Sequence, residues 1–82
     1  MQYFQNPFST STTIEYVLPD PATVVLRIFG SFGQLLDEPI NGYREKGKQR
    51  IEWAAKGLAP GIYYCRLQAG NKVVMNKIVR MH

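Results

Sequence analysis

The sequence of 82 residues has one cysteine, Cys65, and one histidine, His82. A lone thiol forms no internal disulfide, and without a Cys or His cluster no zinc site can be assembled. The fold is therefore expected to stand on packing, with no metal. Residues 1–20 contain no Lys or Arg and no continuous apolar run. That composition excludes a signal peptide or a spanning segment there, so an export signal, if the protein is exported, is expected on chain lying before these residues. No serine sits in a Gly-x-Ser-x-Gly elbow, and Gly30-Ser31-Phe32-Gly33 lacks the helix and lysine of a phosphate loop. No catalytic residue and no cofactor are expected. A chain of this size buries only about 60–65% of its unfolded surface, which leaves a thin core and no deep cleft. What is present is a folding composition, 45% hydrophobic and 20% charged, with ten Lys and Arg against six Asp and Glu for a net charge of +4. Such a balance permits attraction to polyanions without naming one.

Between Gly and Pro punctuation the chain alternates with period two, the mark of strands. In Thr13–Leu18, Ile14, Tyr16 and Leu18 share a face and Thr13 and Glu15 the other, with Val17 the apolar exception. Pro19-Asp20-Pro21 ends this run because proline supplies no ladder donor. Thr23–Phe29 places Val24, Leu26 and Ile28 on one side and Val25, Arg27 and Phe29 on the other, a strand expected to be covered on both faces. Gly30–Gly33 reads as a turn into Leu35-Leu36. Asp37–Ile40, with Pro39, suits a short edge strand, and Asn41-Gly42 is a strong turn signal. From Gln49 the alternation resumes through Ile51 and Trp53. A helical stripe also fits Ile51, Ala54, Ala55 and Leu58, but Gly47 and Gly57 leave too little room for a helix, and the strand reading is preferred. Tyr63–Gln68 and Lys72–Met81 are the last strands, joined by Gly70-Asn71. The total is about seven strands and no helix, as in an antiparallel immunoglobulin-like β-sandwich. Residues 1–5 read as tail or linker and 6–82 as the domain.

Three features invite a functional reading. Cys65 alternates with Tyr63 and Leu67, which makes it a small buried hydrophobe rather than a reactive thiol. Tyr63, entering a strand just after Pro60-Gly61, resembles a tyrosine corner, whose phenol bonds a backbone group a few residues upstream. Trp53 reads as the large core residue of its sheet. Arg44, Lys46, Lys48 and Arg50 recur at every second position, so one extended strand would place all four on one face, with Gly47 bending the row. This is a candidate polyanion contact, set against the plainer reading of a solvated edge whose charges prevent edge pairing.

Asn6-Pro7-Phe8, Thr12–Pro19, Val25–Phe29, Gly47–Trp53, Gly57–Tyr64, Arg66–Asn71 and Lys77–Val79 form an ordered series. Together, from about residue 6 to the end, they closely resemble the type A C-terminal sorting domain of the type IX secretion system. The resemblance implies an address label on proteins exported by Gram-negative bacteria, with no chemistry of its own. A larger N-terminal cargo, absent from this chain, is implied, passing through the periplasm to the outer membrane, the cell surface or the medium. Its implied partners are the outer-membrane translocon and a sortase-like cysteine peptidase that removes the domain and commonly joins the cargo to anionic lipopolysaccharide. Nucleic acid is not among them.

Carried over by position, the translocon-recognition residues are Pro60, Gly61 and Tyr63, then Gly70, Asn71 and Lys72, then Lys77 and Val79. A preformed terminal hairpin would offer a rigid edge for strand addition. Pro60 directly precedes Gly61 where many members separate them, and the tail ends Arg80-Met81-His82 where an apolar pair and lysine are common. The immunoglobulin-like domain of flagellar hook-capping proteins is related, sharing the Thr-Thr-Ile start, the Trp and the Gly-x-Tyr strand. The short Ala54–Pro60 segment argues against it. A scaffold or adhesion module that stays attached and binds a protein or polysaccharide is the alternative.

Overall fold

Alternation along the chain becomes alternation of burial in the structure. The computed structural model describes residues 2–4, 10–55 and 57–81; Asn6-Pro7-Phe8, Lys56 and the terminal Met1 and His82 lie outside the described residues. Seven antiparallel strands are described: β1 (Gln2–Phe4), β2 (Ser11–Leu18), β3 (Ala22–Gly30), β4 (Leu35–Arg44), β5 (Gly47–Ala54), β6 (Gly61–Ala69) and β7 (Lys72–Arg80). They form two sheets, β1-β2-β5 and β4-β3-β6-β7. This is the expected immunoglobulin-like sandwich, with the fourth strand hydrogen-bonded to the third rather than to the fifth.

The core comes from the inward positions of both sheets. Ile14, Val24, Leu26, Ile28, Cys65 and Ile78 have no exposed surface, and Trp53 has 4%. Val17, the apolar exception of β2, points outward and is half exposed. In β3 the inward face is fully buried while Val25, Arg27 and Phe29 are only partly covered, so the expected second covering is incomplete. The preference for strand over helix at residues 47–54 holds, because β5 pairs with β2 along its whole length.

Three expectations need correction. Gln2–Phe4, read as tail or linker, form a strand paired with Ile14–Tyr16. Leu35-Leu36 and Asp37–Ile40 are one strand, β4, at the edge of the larger sheet. It runs on through Asn41-Gly42, whose residues pair with Val25 and Val24 instead of turning. A two-residue turn of this kind needs positive φ, and neither Asn41 nor Gly42 has it. The irregularity sits two residues earlier: Leu26 opposes Ile40 and Ile28 opposes Asp37, so Glu38 and Pro39 bulge across from Arg27. Pro39, which has no N–H to give, is tolerated at this bulge on an edge strand. The Arg27 guanidinium bridges the bulge to Glu38 Oε1 at 2.7 Å, and Asn41 Nδ2 donates to Glu38 Oε2 at 3.0 Å. The Asn41 amide and Arg27 hold the Glu38 carboxyl below its usual range.

Candidate recognition surface

The predicted recognition residues all lie on the β6–β7 hairpin or the corner leading into it, but they fall at its two ends. At one end, Gly61 opposes Arg80, Ile62 opposes Val79 and Tyr64 opposes Lys77. This gathers Pro60, Gly61, Tyr63, Lys77 and Val79. At the other end Gly70 and Asn71 make a two-residue loop between Ala69 and Lys72. Gly70 has φ of +61° and Asn71 has none of the positive φ that a type I′ turn would require, which fits a type II′ turn. The two groups stand about 25 Å apart, at about 3.3 Å per residue.

Their exposure divides them again. Pro60, Gly70, Asn71, Lys72 and Lys77 are exposed, and Gly61 and Val79 partly so. Tyr63 is buried, and its hydroxyl donates to the carbonyl of Ala59. This is the tyrosine corner expected from the sequence. A second clamp was not foreseen: Arg80 Nη1 donates to the carbonyl of Leu58, so the last strand holds the same 57–60 segment from its other side. Also unforeseen is Trp53, whose Nε1 donates to Asp37 Oδ2 at 2.8 Å and ties β5 to β4 across the sandwich. No spacing in the sequence encodes a contact between sheets.

The cation stripe does not survive folding as one face. Arg44 closes β4 in the larger sheet, Lys46 lies in the connection, and Gly47, with φ of +118°, starts β5 in the smaller sheet. Lys48 and Arg50 stay exposed on the outer side of β5, with Arg50 opposite Glu15. Arg44 stands near Tyr16 instead: burial raises the Tyr16 phenol, and the Arg44 charge opposes that rise.

A larger electrostatic feature replaces the stripe. Residues 1–52 hold five cations and all six carboxylates, whereas residues 53–82 hold Lys56, Arg66, Lys72, Lys77 and Arg80 and no Asp or Glu. Counting charge by halves of the sequence would have exposed it. The excess positive charge of the whole chain thus belongs to residues 53–82, four of those cations lying on β6 and β7.

The interior is chemically quiet. Burial pushes the Cys65 thiol from 9.0 up to about 12, which keeps it protonated and unreactive. Among the described residues there is no cluster of His, Cys, Asp or Glu that could hold a metal, and no helix is long and apolar enough to cross a membrane. Beside the Gly70-Asn71 loop, where three strands face four, a cavity of about 580 Å³ opens between the sheets, walled by Tyr16, Leu18, Leu67, Ala69 and Val74. Comparison with known proteins gives one family model that matches, described as a secretion system C-terminal sorting domain, over residues 2–81. No curated protein and no solved structure matches.

Proposed function

The chain belongs to the family of secretion system C-terminal sorting domains and is a sorting signal for type IX secretion; from that premise we propose that the secretion machinery reads the β6–β7 hairpin. This is not a catalytic family, and membership implies interaction with the secretion machinery and export toward the outer membrane, the cell surface or the medium. In our reading the reader is the outer-membrane translocon, which meets the folded domain from the periplasm. A sortase-like cysteine peptidase then removes the domain and joins the cargo to anionic lipopolysaccharide. The match across residues 2–81 carries the sorting function, and the exposure of Gly70, Asn71, Lys72 and Lys77 supports reading of the hairpin.

Within the hairpin, Gly70, Asn71, Lys72 and Lys77 make direct contact, since their side chains or backbone stand at the surface. Tyr63 acts through shape, its phenol holding the segment that presents Pro60 and Gly61. Val79 supports the strand that carries Lys77.

The test fuses the chain to a periplasmic reporter in a host with the machinery and measures reporter at the cell surface. Wild type is expected to deliver the reporter. A Lys72→Glu, Lys77→Glu double variant, shown by circular dichroism to be folded, is expected to lose delivery by at least about tenfold, the loss of roughly two charge contacts. Delivery at the wild-type level by the folded variant sinks the hairpin assignment.

A further inference from the structure

The outer face of the four-stranded sheet carries a depression of about 510 Å³ beside the Gly30–Gly33 turn, walled by Phe29, Ser31, Tyr64, Arg66 and Met75. The register builds it. Phe29 stands opposite Tyr64, Arg27 opposite Arg66, and Met75 opposite Arg66 on the next strand. Period two puts these side chains on the face turned away from the core. Leu35, opposite Phe29 and 54% exposed, and Met75, at 56%, continue the apolar surface across that face. At the rim Phe32 is 94% exposed. Its turn is stapled: the Gly30 N–H donates to the Gln34 carbonyl at 2.9 Å, the Gly33 N–H to the Gly30 carbonyl at 3.0 Å and the Phe32 N–H to Gln34 Oε1 at 3.2 Å. A contiguous apolar patch with an aromatic ring held out in water marks a contact surface.

Charge adds a second mark. Two guanidinium groups directly opposite on neighbouring strands repel. Glu38 answers one of them, pairing with Arg27 at 2.7 Å. Arg66 has the neutral Gln68, whose Oε1 accepts from Nη1 at 3.1 Å, and among the described residues it makes no ion pair. No Asp or Glu follows Glu52 in the chain, so β6 and β7 have none to offer it.

We propose that this depression docks a segment of a partner protein that sets a large apolar side chain against Phe29, Tyr64 and Met75 and a carboxylate against Arg66. The site lies on the face of the sheet and stands whether or not the secretion machinery reads the hairpin. A mostly apolar pocket with one placed polar group is the usual form of a specific site. The guanidinium fork takes a carboxylate through two parallel bonds, and Phe32 adds an aromatic anchor at the rim. A second copy of this chain fits poorly, because it brings Arg27 and Arg66 against a face of the same net sign. A phosphate-rich surface is served by several cations, and this depression is lined by one.

The experiment titrates the whole chain with N-acetyl-phenylalanyl-glutamate amide and reads amide chemical shifts. The counterpart is the neutral isostere, N-acetyl-phenylalanyl-glutamine amide. Both are expected to move the signals of Phe29, Tyr64 and Arg66, the glutamate peptide binding about fivefold more tightly, as one surface ion pair provides. Arg66→Gln is expected to erase that preference and leave binding of the glutamine peptide unchanged, a split that a merely structural role of Arg66 does not produce. Phe32→Ser is expected to weaken both peptides about fivefold. Circular dichroism establishes that each variant is folded. Should Arg66→Gln unfold, the wild-type preference and its loss in about 1 M salt decide.

Equal binding of the two peptides, no shift at Phe29, Tyr64 and Arg66 with about 10 mM peptide, or a preference that survives Arg66→Gln or high salt overturns the proposal. Displacement of the glutamate peptide by an equal concentration of inorganic phosphate also overturns it, and makes the site one for phosphate-bearing surfaces. So does sedimentation showing a dimer that Phe32→Ser dissolves, which makes the face an interface between copies of this chain.

Discussion

The Tyr63 hydroxyl is the point where local sequence and sandwich closure meet. Pro60 and Gly61 turn the chain so that the next residues enter β6, and the ring, 8% exposed, lies among core side chains. Its hydroxyl then reaches back four residues to the Ala59 carbonyl, while Arg80 takes the Leu58 carbonyl from β7. Removing one partner from a covered pair costs the desolvation of the other. Tyr63→Phe is therefore expected to destabilise the domain by about 1–2 kcal/mol, seen as a lower urea midpoint at unchanged slope. An unchanged midpoint would mean that the corner is held by Arg80 alone. The Tyr63 contact was legible because it lies within four residues and has a recognisable pattern. The Arg80 contact spans 22 residues and the Trp53–Asp37 contact 16. Nothing in the neighbourhood of either residue names its partner.

At the scale of the strand, what could be read was periodicity and what could not was competition. Val24, Leu26 and Ile28 alternate strictly, and β3 lies at the centre of its sheet between β4 and β6 as such a run should. Asn41-Gly42 has the composition of a turn, yet cross-strand pairing with β3 keeps it extended. Long-range hydrogen bonding outweighs a local preference worth only about 1 kcal/mol. The cation stripe failed for the same reason of scale: period two was right on each strand, and a change of sheet at Gly47 divided the row. The Gly70-Asn71 loop, by contrast, was read correctly, because local geometry decides a two-residue hairpin. Gly70→Ala has space for its methyl group but not the backbone for it, since φ is +61°. It is expected to cost about 1–2 kcal/mol, or roughly 4–8 °C per kcal/mol in the melting temperature of a domain this small. A melting temperature equal to wild type would show that the loop reshapes freely and is no rigid feature for a receptor to read.

Over the whole molecule, 37 Å by 21 Å by 17 Å, the two sheets depend on residues far apart in sequence. β3 must find β6, pairing Val24 with Ala69, and β6 must find β7 before Ile78 can bury completely. Deleting residues 72–82 removes a strand of the four-stranded sheet and uncovers Tyr63, Cys65 and Leu67 along the new edge. The truncated chain is expected to show no cooperative thermal transition by circular dichroism, having too little core left to offset the entropy of ordering. A sharp transition near that of the full chain would show that β7 is an appendage. For this reason substitutions at Lys72 and Lys77, rather than truncation, separate reading of the hairpin from its folding.

The dependence of the core on β7 has a bearing on quality control. Residues 72–80 form a strand that every synthesis of the domain reaches only after β2 to β6 have been made. Synthesis that stops early, or a protease that trims the tail, leaves a polypeptide that cannot assemble the shape its exporter inspects. A domain without its seventh strand would thus carry no folded label.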